Sequence, residues 1–398
     1  MDARVCFIGG ARYGRPLDPT DKKKFSAMVS LGQTFVVGFS RGLLPRVFRE
    51  HAHFYLLPEL PLRVMRYLEM WVGGAIVALW IVLRHRVRIV VAQGPYEGLA
   101  AAAVKKLAGW FGCRISLVIE IHGDFENSFF LERRIRLAKP YQLLMRRAAQ
   151  FSLAQADVLR AISSSTRRQI ERWAAGKTIV QFPAWTDIEA FLLAGRGAEE
   201  RLHPRRILYA GVLTPLKGVH RLINAFARIT GEFPGVSLTI VGRSENKDYA
   251  DALRKQVSQL GLSDQVEFRQ AMPQTELAMW MSNSAVVVLP SSSEGLGRVI
   301  VEAMATGTPV IGSEVGGIPD VIEDQVRGFL VPPDDEHALS EKLGWILKNP
   351  DQARAMGRRG RAFAGQFFSK EIYLDGYRQV FRAAQTMGPL EKNAAFDF

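Results

Sequence analysis

Between Ala285 and Ile311 the chain reads Ala-Val-Val-Val-Leu-Pro-Ser-Ser-Ser-Glu-Gly-Leu-Gly-Arg-Val-Ile-Val-Glu-Ala-Met-Ala-Thr-Gly-Thr-Pro-Val-Ile, an order that few backbones accept. The apolar run Ala285 to Leu289 predicts a buried strand, Ser291 to Gly297 a turn, and Arg298 to about Thr306 a helix, with a second short strand at Pro309 to Ile311. Strand, glycine-rich turn and helix leave unpaired backbone N–H groups at a helix N-terminus, where the dipole also favours an anion such as a pyrophosphate. Glu294 falls in the turn and Glu302 just over one helical turn inside. One carboxylate can accept from hydroxyls beside a phosphate and the other from a diol further along the same ligand. Alone, two glutamates at this spacing describe many solvated helix faces; here the strand, the glycines and the second strand stand in register with them.

The length of 398 residues suffices for two domains with separate cores. Hydrophobic residues make up 48% and charged residues 23%, a globular composition that excludes a disordered chain. Cys6 and Cys113, the two cysteines, stand in apolar stretches, so a disulfide framework is excluded and a reducing compartment fits. The net charge of +13 is one-sided: residues 1–195 hold 28 Lys and Arg against 15 Asp and Glu, whereas residues 196–398 hold 24 of each. A basic half suggests an anionic partner: a phospholipid surface, a lipid-phosphate acceptor or nucleic acid. The plain alternative is a soluble basic domain. Aromatic-rich or groove-reading motifs are not evident, so nucleic acid is not expected.

Met1-Asp2-Ala3-Arg4 runs straight into the strand Val5 to Gly9, which predicts no signal peptide. Trp71 to Leu83 is the most apolar stretch and is short for a membrane span. Arg63 and Arg66 precede it, Arg84, Arg86 and Arg88 follow it, and Trp71 and Trp80 are amphipathic anchors. Two readings stay open: a helix buried between two strands, or a helix partly inserted at a membrane surface.

Along the first half, strands are predicted at Val5–Ile8, Thr34–Phe39, Ile89–Ala92, Ile115–Ile121, Val158–Ile162 and Ile179–Phe182, with helices between them. The alternation restarts with Ile207–Tyr209, Ser237–Val241, Val266–Arg269, Val286–Leu289, Val310–Ile311 and Phe329–Val331. After Asp334 the pattern is helical to Thr386, and a polar tail follows. The expected organisation is an α/β chain of two Rossmann-like, doubly wound domains with a cleft between them. It comprises an N-terminal domain at 1–190, a linker at 191–206, a C-terminal domain at 207–368, and a last segment at 369–398.

The segment around Glu294 and Glu302 resembles the Glu-x7-Glu motif of retaining glycosyltransferases of the GT-B fold, in the large family 4 (GT4). In that family the first Glu meets hydroxyls of the donor sugar and the second meets the nucleotide ribose; the resemblance carries those roles to Glu294 and Glu302. Ile207-Leu-Tyr-Ala-Gly-Val-Leu-Thr-Pro-Leu-Lys-Gly-Val219 looks like the first strand and loop of the family's C-terminal domain, and Lys217 matches its phosphate-binding lysine. Val212 stands where the family commonly has arginine, which leaves Arg243 or Arg298 to supply that charge. Gly211, Gly295, Leu296, Gly297, Gly316 and Gly317 complete the donor side by resemblance. The last helices of such proteins return to the N-terminal domain, which the resemblance implies for residues after Phe368.

Val118-Ile-Glu-Ile-His-Gly-Asp124 ends a buried strand where ligands of open α/β sheets gather. A lone histidine there is a core residue as readily as a functional one; His122 matches a His-Gly pair that the family places near sugar and acceptor. On the acceptor side stand Gly9, Gly10 and Arg12 after the first strand, Gln93 after another, and Asp124. The resemblance implies a retaining transferase that takes a UDP- or GDP-sugar, needs no bound cofactor or catalytic metal, and glycosylates a glycan or lipid-linked acceptor. Such a protein would act in the cytoplasm or peripherally on the cytoplasmic membrane face, in bacterial polysaccharide or glycolipid synthesis. A nucleotide-sugar epimerase on the same fold and a soluble small-molecule glycosyltransferase are the alternatives.

Overall fold

The computed structural model describes residues 3–60, 63–126, 138–197, 205–244 and 246–386. The tail beyond Thr386, and residues 198–204 of the expected linker, lie outside the described residues. The described residues form two compact units: those up to Trp185 together with Lys370 to Thr386, and those from Thr186 to Ser369.

In the first unit, β1 (Ala3–Tyr13), β2 (Gly32–Ser40), β3 (Arg46–Glu50), β4 (Ala52–Leu57), β5 (Ile89–Ala92), β6 (Ser116–Ile121), β7 (Val158–Ala161) and β8 (Thr178–Gln181) form one sheet in the order β3-β4-β2-β1-β5-β6-β7-β8. All neighbours are parallel except the β3–β4 pair. That hairpin escapes the sequence reading because Arg46, Arg49 and Glu50 interrupt its apolar pattern. Phe48 alone of β3 turns inward, stacked on its register partner Phe54 with ring centroids 4.7 Å apart. Helices α1 (Pro19–Met28), α2 (Arg63–Glu69), α3 (Ala75–His85), α4 (Gly98–Trp110), α5 (Ala138–Gln155) and α6 (Ser164–Trp173) connect the strands. A π turn at Met70–Gly74 joins α2 to α3, so the apolar stretch read from Trp71 begins a helix earlier than expected.

The second unit holds β9 (Arg206–Ala210), β10 (Ser237–Val241), β11 (Val266–Arg269), β12 (Val286–Leu289), β13 (Val310–Ser313) and β14 (Phe329–Val331), all parallel, in the order β11-β10-β9-β12-β13-β14. Its helices are α7 (Glu189–Ala194), α8 (Val219–Ile229), α9 (Lys247–Gln259), α10 (Gln274–Ser282), α11 (Arg298–Thr306), α12 (Ile318–Val321), α13 (Glu336–Lys348) and α14 (Pro350–Phe367). Helix α7 overlaps the start of the expected linker; it buries Phe191 and packs on α10 and α11, which makes it part of this unit's core and not a tether. The last helix, α15 (Lys370–Thr386), belongs to the first unit, where Tyr377, Val380 and Phe381 are buried against the sheet around β6 to β8.

Strand order reverses between β1 and β5 in one sheet and between β9 and β12 in the other. In open α/β sheets the loops leaving the carboxyl ends of strands at such a point diverge and leave room for a ligand.

Candidate active site

At the reversal point of the second unit, the loops after β9 and β12 are tied together. Ser292 donates its amide to the Leu216 carbonyl at 2.8 Å, and Gly218, with φ 68°, lies so close that a Cβ there would stand 2.0 Å from the Pro290 carbonyl oxygen. This brings Lys217 to Glu294: the ammonium donates to Glu294 Oε1 at 2.5 Å, and the Ser291 hydroxyl donates to the same oxygen at 2.9 Å. Both side chains remain partly accessible, Lys217 at 27% and Glu294 at 12%. Beyond them, the amides of Gly295, Leu296 and Gly297 donate no hydrogen bond among the described residues. Gly297 adopts φ 77° and caps α11, so these donors lie where the helix dipole adds to them.

A third loop fastens Glu294 from the other side. Gly316 has φ 57°, and a Cβ there would lie 1.7 Å from the Glu294 carbonyl oxygen, which only glycine accommodates. Gly317 follows at φ −95° as the residue before α12. Leu213 donates its amide to the Arg243 carbonyl at 2.9 Å, and Gly211 donates its own to Val241 at 3.0 Å, so the Gly211 and Arg243 loops are also joined. Arg298 is the exposed first residue of α11. One turn further in, burial pushes the Glu302 carboxyl up to about 7; Arg298 opposes that rise and Asp187 adds to it.

In the first unit, the β1–β5 reversal point opens a cavity of about 440 Å³. Gly10, Gln93 and His122 of the expected set line it, together with Phe39, Arg66 and Glu97, which the sequence did not place in a site. Burial raises the Glu97 carboxyl above its ordinary value. The first strand runs on through Tyr13, so Gly9 and Gly10 lie within it and not in a loop beyond it. At Gly9 a Cβ would meet Gln93 Oε1 at 2.1 Å, so this glycine makes room for Gln93. Arg12 is not among the lining residues; it pairs with Glu59 at 2.5 Å. Asp124 turns elsewhere, accepting from the Gln169 amide at 2.8 Å and from the Glu126 backbone at 2.9 Å.

His122 is held from beneath. Its Nε2 lies 3.0 Å from Oε2 of Glu120, two residues back near the end of β6. The other carboxylate oxygen of Glu120 accepts from Arg160 at 2.8 Å and from the Tyr377 hydroxyl of α15 at 2.6 Å. Arg160 donates also to the Pro183 carbonyl at 3.0 Å and stacks on Phe182 at 3.8 Å from the ring centre. Burial would raise the Glu120 carboxyl; Arg160, His122 and Tyr377 outweigh it and hold the group well below the usual carboxylate range. The sequence signal for Glu120 was its two-residue offset from His122, whereas nothing local announced Tyr377.

Residues 196–363 match the family model described as glycosyl transferases group 1. Among curated proteins, the chain is similar to a D-inositol 3-phosphate glycosyltransferase of Segniliparus rotundus, at 36% identity over 50% of this chain and 44% of that one. It is also similar to an MMP alpha-(1->4)-mannosyltransferase of Mycolicibacterium hassiacum, at 35% identity over 50% of this chain and 45% of that one. The chain thus spans less than half the length of these relatives. Among solved structures, sucrose-phosphate synthase of Thermosynechococcus elongatus superposes with TM-score 0.75 at 23% identity, covering 96% of this chain and 100% of the other. HepE of Anabaena, solved with UDP, gives 0.73 at 20%, covering 95% and 98%. Residues 196–363 thus carry the match to the group 1 glycosyl transferase model, and the two parallel-sheet units have the GT-B fold.

Proposed function

We propose that the protein is a retaining glycosyltransferase. It moves a sugar from a UDP- or GDP-sugar to an acceptor hydroxyl on a lipid-linked or membrane-associated glycan at the cytoplasmic face of a membrane, in bacterial surface-polysaccharide or glycolipid synthesis. The observation that carries this reading is the Lys217–Glu294 pair beside the unengaged amides of Gly295 to Gly297. That arrangement offers a cation and backbone donors to a diphosphate and a carboxylate to sugar hydroxyls. One fold neighbour, HepE, has been crystallised in complex with UDP-glucose, and the curated relatives are named as glycosyl and mannosyl transferases.

In this mechanism Lys217, Arg298, Arg243 and the loop amides offset the charge growing on the departing diphosphate. Lys217 has three donors and serves the phosphate and Glu294 together. Glu294 accepts from sugar hydroxyls as the anomeric carbon becomes oxocarbenium-like, and Glu302 accepts from the ribose. Two carboxylates on one side of the donor do not suit the double displacement of retaining hydrolases. The acceptor therefore attacks from the face the diphosphate leaves, and the leaving phosphate takes its proton. In the cavity of the first unit, His122, oriented by Glu120, hydrogen-bonds the acceptor. No catalytic metal is needed in this scheme.

Glu294→Gln should keep the fold and lower kcat about a hundredfold, the equivalent of roughly 3 kcal/mol of transition-state stabilisation. Mass spectrometry of products from a panel of nucleotide sugars and bacterial lipid extracts identifies the pair used. Variant activity within about twofold of the parent would overturn the role of Glu294. Isomerised sugar nucleotide formed without any acceptor would favour the epimerase.

A further inference from the structure

The helix running from α2 through the π turn into α3 has two apolar sides. One is packed into the first unit: Met70, Ala78, Ile81 and Val82 are at most 1% exposed. Trp71 turns inward as well, donating its indole N–H to the Tyr96 carbonyl at 2.9 Å. On the other side Met65, Leu68, Val72, Ile76 and Trp80 are between 43% and 65% exposed. They recur every three or four residues and so form one stripe, and the next turn ends it with exposed Arg84.

The stripe continues onto the sheet edge. Trp80 meets the ring of Tyr55 edge-on with centroids 5.6 Å apart, and Tyr55 is the register partner of Val47 on β3. Val47 is 70% exposed, and Arg49 shares its face of the strand. Leu43 and Leu44, in the turn before β3, are more than two-thirds exposed. Single exposed apolar residues are ordinary, but a continuous patch of this kind on helix and strand marks a contact surface. Its rim is basic: Arg49, Arg84 and Arg86 are exposed. The single acidic residue between Arg63 and Arg86, Glu69, has a carboxylate oxygen buried away from the surface.

Length and composition would let Met65–His85 cross a bilayer. Its packed side argues against crossing, because Met70, Ala78, Ile81 and Val82 would have to leave the sheet. A helix with one side in a protein core and the other apolar and rimmed with arginine suits the plane of a membrane interface. The basic rim and the surplus of 13 positive charges in residues 1–195 favour anionic lipid over a second protein. We propose that this face of the first unit docks on an anionic phospholipid surface, with Val72, Ile76 and Trp80 entering the headgroup–acyl boundary and Arg49, Arg84 and Arg86 meeting lipid phosphates. The assignment rests on the reading that the acceptor is membrane-borne, and it names the surface that brings the enzyme there.

The test is co-sedimentation of the full chain with vesicles of phosphatidylcholine alone or mixed with phosphatidylglycerol. Binding to the mixed vesicles should exceed binding to the neutral ones at least tenfold at low salt and fall as salt shortens the Debye length. Val72→Asp with Ile76→Asp should lose at least tenfold in partitioning, and Arg84→Gln or Arg86→Gln about fivefold each, with thermal unfolding unchanged. Equal recovery on both vesicles, recovery on neither, or full binding by the double aspartate variant would overturn the proposal. So would a dimer that the aspartates dissociate. Transfer to a water-soluble acceptor separates the two readings: a parent that transfers sugar but ignores vesicles refutes the surface alone, and one that binds vesicles but transfers nothing refutes the activity alone.

Discussion

The two units place their candidate sites at equivalent points, the strand-order reversals between β9 and β12 and between β1 and β5, yet they build them differently. In the second unit the site is three glycine-rich loops locked backbone to backbone, with Gly218 against Pro290 and Gly316 against Glu294. In the first it is a cavity whose histidine is held by side chains from β6, β7 and α15, residues that stand up to 257 positions apart. A site made of backbone is written in local sequence. One made of distant side chains is written in the packing.

The contrast breaks most readily at Arg160. Arg160→Leu should destabilise the first unit by about 3–5 kcal/mol, because Glu120 would keep its charge in the core without a cation. Urea unfolding measures this, and an unchanged midpoint would show that the network does not hold α15. Its pH dependence has a definite sign. The Glu120 carboxyl is depressed in the folded protein, so its contribution is present above the unfolded value near 4.5 and is lost as pH falls below it. The milder Tyr377→Phe should cost about 1–2 kcal/mol while leaving the ion pair in place.

A smaller effect tests the second unit's dependence on backbone. Gly316→Ala should displace the Glu294 loop and lower kcat at least about tenfold, from a positive φ and an imposed backbone clash. Gly317→Ala, at ordinary φ, should stay within about threefold. Equal losses in steady-state assays would mean that Gly316 does not set the loop.

Glu302 sharpens the comparison through pH. Its folded value of about 7 lies above the ordinary 4.5, so between these values the unfolded chain ionises while the folded protein keeps its proton. Stability therefore falls as pH rises from about 4.5 to 7 and levels off above, by on the order of 2–3 kcal/mol. Glu302→Gln should remove that slope in thermal unfolding. If the carboxylate accepts from the ribose, nucleotide-sugar affinity should rise with pH up to about 7, by up to tenfold per unit. Calorimetry that finds a flat profile for the parent would take Glu302 out of the site.

The smallest expected change is at Lys217. Lys217→Ala should weaken a nucleoside diphosphate about tenfold and the nucleoside hardly at all, since only the former presents phosphate to the ammonium. Equal losses would show that Lys217 holds Glu294 and nothing else.

Much of the architecture was legible because parallel strands buried on both faces are continuous apolar runs, as Val286–Leu289 and Ile89–Ala92 are. The β3–β4 hairpin was not, since an edge strand keeps only Phe48 inside and shows charge elsewhere. Glu294 and Glu302 stood out by their place in the strand, glycine turn and helix, and Lys217 by its resemblance to the family's loop lysine; the structure sets Lys217 against Glu294. Glu97 and Arg66 were not, because what distinguishes them is the cavity they share. Asp124 and Arg12 stood beside the right strands, but their side chains are engaged by Gln169 and Glu59.

The sequence by itself determined the alternation of strands and helices, the turn chemistry that presents amides at the start of α11, and the positive charge of the first half. Each depends on residues within a few positions of one another, or on a plain sum. Only the tertiary structure decided which carboxylate meets Lys217, what holds His122, and which side of the helix before β5 is left exposed. Those outcomes follow from contacts between chain segments far apart in sequence, where burial converts an ordinary arginine, tyrosine or glutamate into a fixed partner and leaves an apolar stripe outside the core.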